Sequence, residues 1–283
     1  MIAKALAADH EVSLVETARR DHATRLARAA AFDGAEVVVV LGGDGTLNEA
    51  ANGLAGTETA LAALPGGSTN VFARILGIPA DPVDAAGWLL DALDGSEIGS
   101  IGLGSIAGRH FLFHCGTGFD AAVVQHVERR GSWKRWAGHP LFMYATARTW
   151  LRSEHRRRRP VSVVGADGSE LARGRFNVIL NANPYTYLGD RSFDFVPSVS
   201  LDSPLVVVSF SSLSLRRLVP LTWRALGSGN IEGRPGVNVV HDVRQATLIA
   251  DPVVPYQLDG DFVGSASRLD LRWMPDALRL VTG

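Results

Sequence analysis

A chain of 283 residues, 46% hydrophobic and 20% charged, can bury a large core and is long enough for two ordinary domains. Its formal net charge of −1 excludes a protein that blankets nucleic acid with a general positive field, which needs clustered excess Lys and Arg. The only cysteine is Cys115, which excludes an intramolecular disulfide and a Cys-based zinc site and fits a reducing compartment.

The start, Met1-Ile2-Ala3-Lys4, shows no basic stretch ahead of an apolar core, and no apolar run reaches the ~18 residues of a membrane span. The expectation is a cytoplasmic protein, at most peripheral at the inner membrane face. Residues 1–8 read as the end of a helix, and residues 11–17 alternate apolar and polar side chains as a strand does. Residues 21–32 carry Ala, Arg and Leu at helical spacing. The run from Ala35 to Leu41 is β-branched throughout its middle, the pattern of a strand buried on both faces of a parallel sheet. Glycines follow at once, then a helix over 48–54, a strand over 60–64, a polar turn over 65–70 and a helix over 71–76. Two strand-loop-helix units thus lie in succession, and ligands of such sheets collect at the carboxyl ends of the strands.

Near Ile98 the texture changes to short alternating segments separated by Gly, Pro, Asn and Asp, with a helical interruption from Asp120 to about Trp150. The spacing predicts an α/β domain over 1–95 and a mainly antiparallel β-sandwich over 96–283.

The string Gly42-Gly43-Asp44-Gly45-Thr46-Leu47-Asn48 is a phosphate cradle in outline. Glycines let backbone N–H groups approach phosphate oxygens without a Cβ in the way, and the helix behind them offers its positive end. A plain βα turn uses glycines for steric reasons alone, so the string by itself leaves both readings open. Asp44 can serve a phosphate only through a cation, which points to Mg²⁺ or a bound water network.

The pentapeptide Gly42 to Thr46 resembles the signature shared by diacylglycerol kinases, sphingosine kinases, NAD kinases and 6-phosphofructokinases. Its continuation Asn48-Glu49-Ala50-Ala51-Asn52-Gly53-Leu54, with Leu64-Pro65-Gly66-Gly67-Ser68-Thr69-Asn70-Val71-Phe72, is similar to the paired motifs of bacterial diacylglycerol kinase-like enzymes. The resemblance implies an NAD kinase/diacylglycerol kinase-like α/β nucleotide-binding domain. It also implies that Gly42 to Asn48, Ser68 and Asn70 hold ATP, with Mg²⁺ as cofactor. Ser68, Thr69 and Val71 depart from the family string, and Val71 replaces a carboxylate. The Asn-Pro-x-Ser-Gly loop that opens family members is not found, so the resemblance begins about one strand-helix unit late.

Further acids match in order. Gly116-Thr117-Gly118-Phe119-Asp120 resembles the Gly-x-Gly-x-Asp element, giving Asp120 as a metal-site acid, with a helix cap as the plain alternative. Asp202-Ser203-Pro204 stands where the family has a metal-holding Asp-Asp-Gly turn. Asp202 is thus a candidate metal ligand, while the lost second acid favours a simple turn. Leu258-Asp259-Gly260-Asp261 resembles the element that supplies the general base, which makes Asp259 the base and Asp261 its partner, with Asp44 as the third catalytic acid. Asp-Gly between apolar runs is also a hairpin turn. A primary lipid hydroxyl needs such a base for phosphoryl transfer.

The function so implied is an ATP-dependent lipid kinase acting on diacylglycerol or a similar lipid at a membrane surface, without nucleic acid and with homo-oligomerisation open. Residues 129–136 and 156–159, which mix cations with aromatics or cluster arginines, are candidate membrane contacts. An NAD kinase-like enzyme and a degenerate nucleotide- or lipid-binding protein are the alternatives.

Overall fold

The computed structural model describes residues 2–128, 160–227 and 229–283. The chain divides into two compact units, Met1–Ile101 with Asp276–Gly283, and Gly102–Pro275.

The first unit is α/β. Helices α1 (Ile2–Leu6) and α2 (His22–Phe32) precede β1 (Val37–Gly42), α3 (Asp44–Leu54), β2 (Ala60–Pro65), α4 (Val71–Ile75) and α5 (Pro82–Asp94). Strands β1 and β2 run parallel in register, from Val37 opposite Ala60 to Gly42 opposite Pro65. The chain's last strand closes the other side of β2, with Leu280 opposite Leu61. Every residue of β2 is buried, as a central parallel strand requires. Leu47, Leu54, Phe72, Leu89, Leu278 and Leu280 fill the space between sheet and helices. Asp81 caps α5 by accepting from the Val83 and Asp84 amides, and Pro82 occupies its first turn.

The second unit is built from antiparallel strands. Its first strand, β3 (Ile98–Ile106), enters from the first unit and is followed by β4 (Arg109–Phe111), β5 (His114–Gly118) and α6 (Phe119–Glu128). Next come β6 (Val161–Gly165), β7 (Glu170–Gly174), β8 (Phe176–Leu180), β9 (Thr186–Leu188), β10 (Arg191–Phe193) and β11 (Leu205–Phe210). Helix α7 (Leu215–Gly227) leads to β12 (Val237–Val243), β13 (Gln245–Leu258) and β14 (Asp261–Val281). Strand β5 lies between β8 and β13, β8 continues to β11 and β12, and β13 also pairs with β14 and β6. Two apolar clusters result. One gathers Phe119, Phe176, Tyr185, Phe195 and Phe210 with Leu221 and Ala225 of α7, and the other Ile106, Cys115, Ile179, Val207, Leu248 and Leu271.

Two sequence expectations are corrected. Residues 11–17 form no strand: they have no regular secondary structure and are exposed, with Leu14 at 77% and Val15 at 59% exposure. Alternation makes a strand only where a neighbour accepts its hydrogen bonds, and β1 pairs with β2 alone among the described residues. The division of the chain falls at Ile101 rather than near 95, and residues from Asp276 onward return to the first unit. Among the described residues, no helix is long and apolar enough to cross a membrane. The expected helix beyond 128 and the candidate membrane segments 129–136 and 156–159 lie outside the described residues.

Candidate functional site

In the first unit the glycine string is not a free loop. Gly42 ends β1, Gly43 is the N-cap of α3 in an extended conformation, and Asp44 already begins the helix. The Leu47 amide bonds to the Gly43 carbonyl, which leaves the amides of the first turn without helical partners by construction. They lie at the positive end of an eleven-residue helix, the arrangement that binds phosphate. Leu47 offers no open donor there, since its amide is taken by the Gly43 carbonyl and its side chain is buried in the core. Asn48 is buried too and accepts from the Asn52 side chain.

The second turn packs on the first backbone to backbone. The Gly66 amide donates to the Gly42 carbonyl at 3.0 Å. A Cβ on Gly66 would lie 2.8 Å from the Gly42 nitrogen, and one on Gly67 would lie 2.7 Å from the Gly43 Cα. Asn70, left-handed at φ 49°, holds this turn by accepting from the Gly67 amide at 2.7 Å and donating to the Gly67 carbonyl at 3.0 Å. Ser68 is exposed at its tip. Asp44 ties the two turns together: its carboxylate accepts from the Val71 and Phe72 amides, both at 3.0 Å, so it caps α4.

Two further motif residues have structural work that the sequence did not reveal. Glu49 accepts from the Ala23 amide at 3.1 Å while its carbonyl accepts from the Thr24 hydroxyl. It thereby serves the start of α2, whose own N-cap Asp21 makes no side-chain cap bond. Gly53 lets α2 approach α3, since a Cβ there would meet the Thr24 carbonyl at 2.5 Å. An acid near a helix start is a readable capping signal, yet a cap supplied from a different helix leaves no local trace.

In the second unit the acids enter a buried polar cluster. Gly116 makes room for Asp120, whose carboxylate would collide with any Cβ at that position. Asp120 sits in the first turn of α6. Its oxygens accept from the Tyr185 hydroxyl and, at 2.8 Å, from the Gln257 amide nitrogen. Burial raises its pKa, while the Tyr185 and Gln257 bonds oppose that shift. Burial, with the Asp120 charge beside it, also pushes the Tyr185 hydroxyl well up.

Asp259 and Gly260 form the two-residue turn between β13 and β14, with Leu258 opposite Asp261. Both turn residues have positive φ, 47° and 82°, the geometry that Asp-Gly favours. Asp259 is only 3% exposed. Its carboxylate accepts from the Leu112 amide at 2.7 Å and from those of Phe113 and His114 at 3.0 Å. The expected base is therefore also an anchor for the turn between β4 and β5. Asp261 is partly exposed. Asp202 is exposed, in a turn closed by Ser203 on Ser200. Among the described residues no three His, Cys, Asp or Glu side chains gather as a metal site. For Mg²⁺, one or two carboxylates with nucleotide phosphates suffice.

In the sequence His114 shows no ligand spacing, so a core or surface role suffices for it. It is buried, packs on Tyr185 with ring centroids 4.5 Å apart, and its Nδ1 has no hydrogen-bond partner among the described residues. Burial lowers its pKa to about 3, so it is neutral at neutral pH. The unfolded chain binds its proton first, near pH 6.5; the stability contributed is whole above that and is lost as pH falls from about 6.5 toward about 3. A wild type that loses about 2 kcal/mol more than His114→Phe between pH 6.5 and 5, at about 1.4 kcal/mol per pH unit, is the expected result in urea titrations. Equal pH slopes would refute it. Asp120, whose raised pKa acts with the opposite sign, is common to both proteins and cancels in the difference.

Comparison with known proteins agrees with this geometry. Residues 1–105 match the family model described as the diacylglycerol kinase catalytic domain. A diacylglycerol kinase of Bacillus subtilis (strain 168) is 35% identical over 113 residues, 39% of this chain and 36% of that protein. A protein of Staphylococcus aureus (strain bovine RF122 / ET3-1) named "putative lipid kinase" is 24% identical over 258 residues, 87% of this chain and 77% of its own length. The fold matches a solved structure titled "a putative diacylglycerol kinase" from Bacillus anthracis, with a TM-score of 0.75, 21% identity and coverage of 98% of this chain and 88% of that one. An NAD kinase from Archaeoglobus fulgidus, solved in complex with ATP, matches at a TM-score of 0.54 and 13% identity, covering 99% and 88%. In family match, relatives and fold, the chain is similar to diacylglycerol kinase catalytic-domain proteins, with the family match itself confined to residues 1–105.

Proposed function

We propose that this protein is an ATP-dependent lipid kinase that transfers the γ-phosphate to the hydroxyl of diacylglycerol or a similar lipid. The observation that carries the reading is the glycine-on-glycine contact of two turns at the start of α3. A side chain on Gly66 or Gly67 would force the two turns apart and displace the start of α3, whose positive end suits a phosphate. The amides of Gly45 and Thr46 would hold nucleotide phosphates, with the Ser68 hydroxyl as a further donor. Magnesium bound with the nucleotide would neutralise phosphate charge. Asp44 fixes α4 and the second turn by its amide bonds, so its part is first of all to position that turn. In the second unit Asp259, or its neighbour Asp261, is proposed to accept the proton of the lipid hydroxyl.

The test uses purified protein, γ-labelled ATP, Mg²⁺ and mixed micelles of diacylglycerol. Label in the organic phase, abolished by Gly43→Val at the cradle, is the expected result; ATP hydrolysis or binding without lipid product would refute it. A second reading, an NAD kinase-like enzyme, is favoured by the ATP-bound structural neighbour, and label in NADP rather than in lipid would select it.

A further inference from the structure

Helix α7 packs on the second unit with one side only. Leu221 and Ala225 are buried in the aromatic cluster, and Leu218 packs against it. On another side Leu215, Val219 and Trp223 recur every four residues, which places them on one stripe of a helix. They are 48%, 48% and 71% exposed. Arg216 stands beside this stripe, with Arg224 and Arg217 further round the helix, all three exposed, and the sequence Leu-Arg-Arg-Leu-Val-Pro-Leu-Thr-Trp-Arg-Ala-Leu-Gly contains no acid. Arg224 spends one donor on the Asn230 carbonyl and has four left. Contiguous exposed apolar side chains that include a tryptophan mark a surface meant to be covered.

We propose that α7 is an interfacial docking helix that lies on an anionic lipid bilayer, with Leu215, Val219 and Trp223 entering the headgroup boundary and Arg216, Arg217 and Arg224 meeting lipid phosphates. Charge decides the occupant. A second copy docked about a two-fold axis would set the same three arginines against their equivalents, whereas an anionic membrane supplies what they lack. An apolar stripe with Trp and Leu on an arginine-bearing helix is the composition of helices that lie in a membrane interface, and indole favours that boundary. The proposal rests on the lipid-kinase reading for the substrate that brings the protein to a bilayer, and it locates the contact on a helix outside the proposed catalytic residues.

The experiment is sedimentation of the whole protein with vesicles of phosphatidylcholine alone or mixed with phosphatidylglycerol, at low and raised salt. Wild type is expected to bind the mixed vesicles and to be released by salt. Leu215→Ser/Val219→Ser/Trp223→Ser and, separately, Arg216→Gln/Arg217→Gln/Arg224→Gln are expected to bind about a hundred-fold more weakly. Binding by wild type to neither vesicle, or binding unchanged in both variants, would overturn the proposal. So would a drop in oligomeric mass of the serine variant, which would make the stripe a contact between copies. Phosphorylation of a water-soluble short-chain diacylglycerol separates this from the kinase reading. Both variants should keep wild-type rates there. A wild type that docks through α7 but phosphorylates no lipid overturns the kinase reading and leaves the docking surface standing.

Discussion

Asp259→Ala is expected to cost about 4 kcal/mol or more of stability and to abolish activity. Three amides, those of Leu112, Phe113 and His114, lose their acceptor in a buried site, and each buried orphan donor costs about 1–3 kcal/mol. Alanine also takes less readily than aspartate to the left-handed conformation at φ 47°, a penalty of about 1 kcal/mol. Asp259→Asn tolerates that conformation and keeps one acceptor oxygen, so about 2 kcal/mol is expected, but its amide nitrogen must face a donor. Thermal melts run beside the lipid assay check both values. Unchanged melting of Asp259→Ala would refute the anchoring described here. The same pair of measurements distributes the catalytic roles. If Asp259→Asn loses turnover and stability together, loss of activity alone cannot name it the base. If Asp261→Asn melts like wild type and yet fails to turn over, the proton goes to Asp261.

Gly66→Ala is the second large effect. The new methyl would lie 2.8 Å from the Gly42 nitrogen and 2.9 Å from its Cα. Both obstacles are backbone, so no rotamer relieves the clash. The turns must separate, and overpacking of this kind costs about 1–3 kcal/mol. Since the Gly66 amide bonds the Gly42 carbonyl, separation also drags the cap of α3 out of place. ATP affinity, measured by titration calorimetry, is expected to fall at least about ten-fold, equivalent to about 1.4 kcal/mol. Gly87→Ala is the control: in α5 with nothing within 4 Å of the added methyl, it should leave binding unchanged and stabilise by about 0.5–1 kcal/mol. Equal ATP affinity in Gly66→Ala and wild type would sink the cradle.

The first α/β motif was legible because it is written locally. A β-branched run ends at glycines, a polar turn repeats the pattern, and both periodicities fit the strands and helices found from Val37 to Ile75. The Asp259-Gly260 turn was legible for the same reason. What escaped is long-range. Residues 11–17 alternate correctly, but alternation records a preference for a half-buried surface, not whether a neighbouring strand exists to provide it. Asp44 looked like a cation ligand because its donors, the Val71 and Phe72 amides, are brought to it only by the parallel register of β1 and β2. The same holds for Glu49 and the start of α2, and for Asp259 and the turn before β5. An acidic side chain advertises its charge in the sequence and conceals its partner.

The chain visits its first unit twice. Leu278, Leu280 and Val281 are buried there, and Leu280 pairs with Leu61 of the central strand, after residues 102–275 have formed the second unit. During synthesis, the glycine turns therefore leave the ribosome early but wait for their sheet to be completed. At about 5–20 residues per second, that delay is on the order of ten seconds or more. A nascent chain thus leaves one edge of its central strand unpaired until residues 278–281 have emerged, and the first unit is completed after the second although most of it is encoded first.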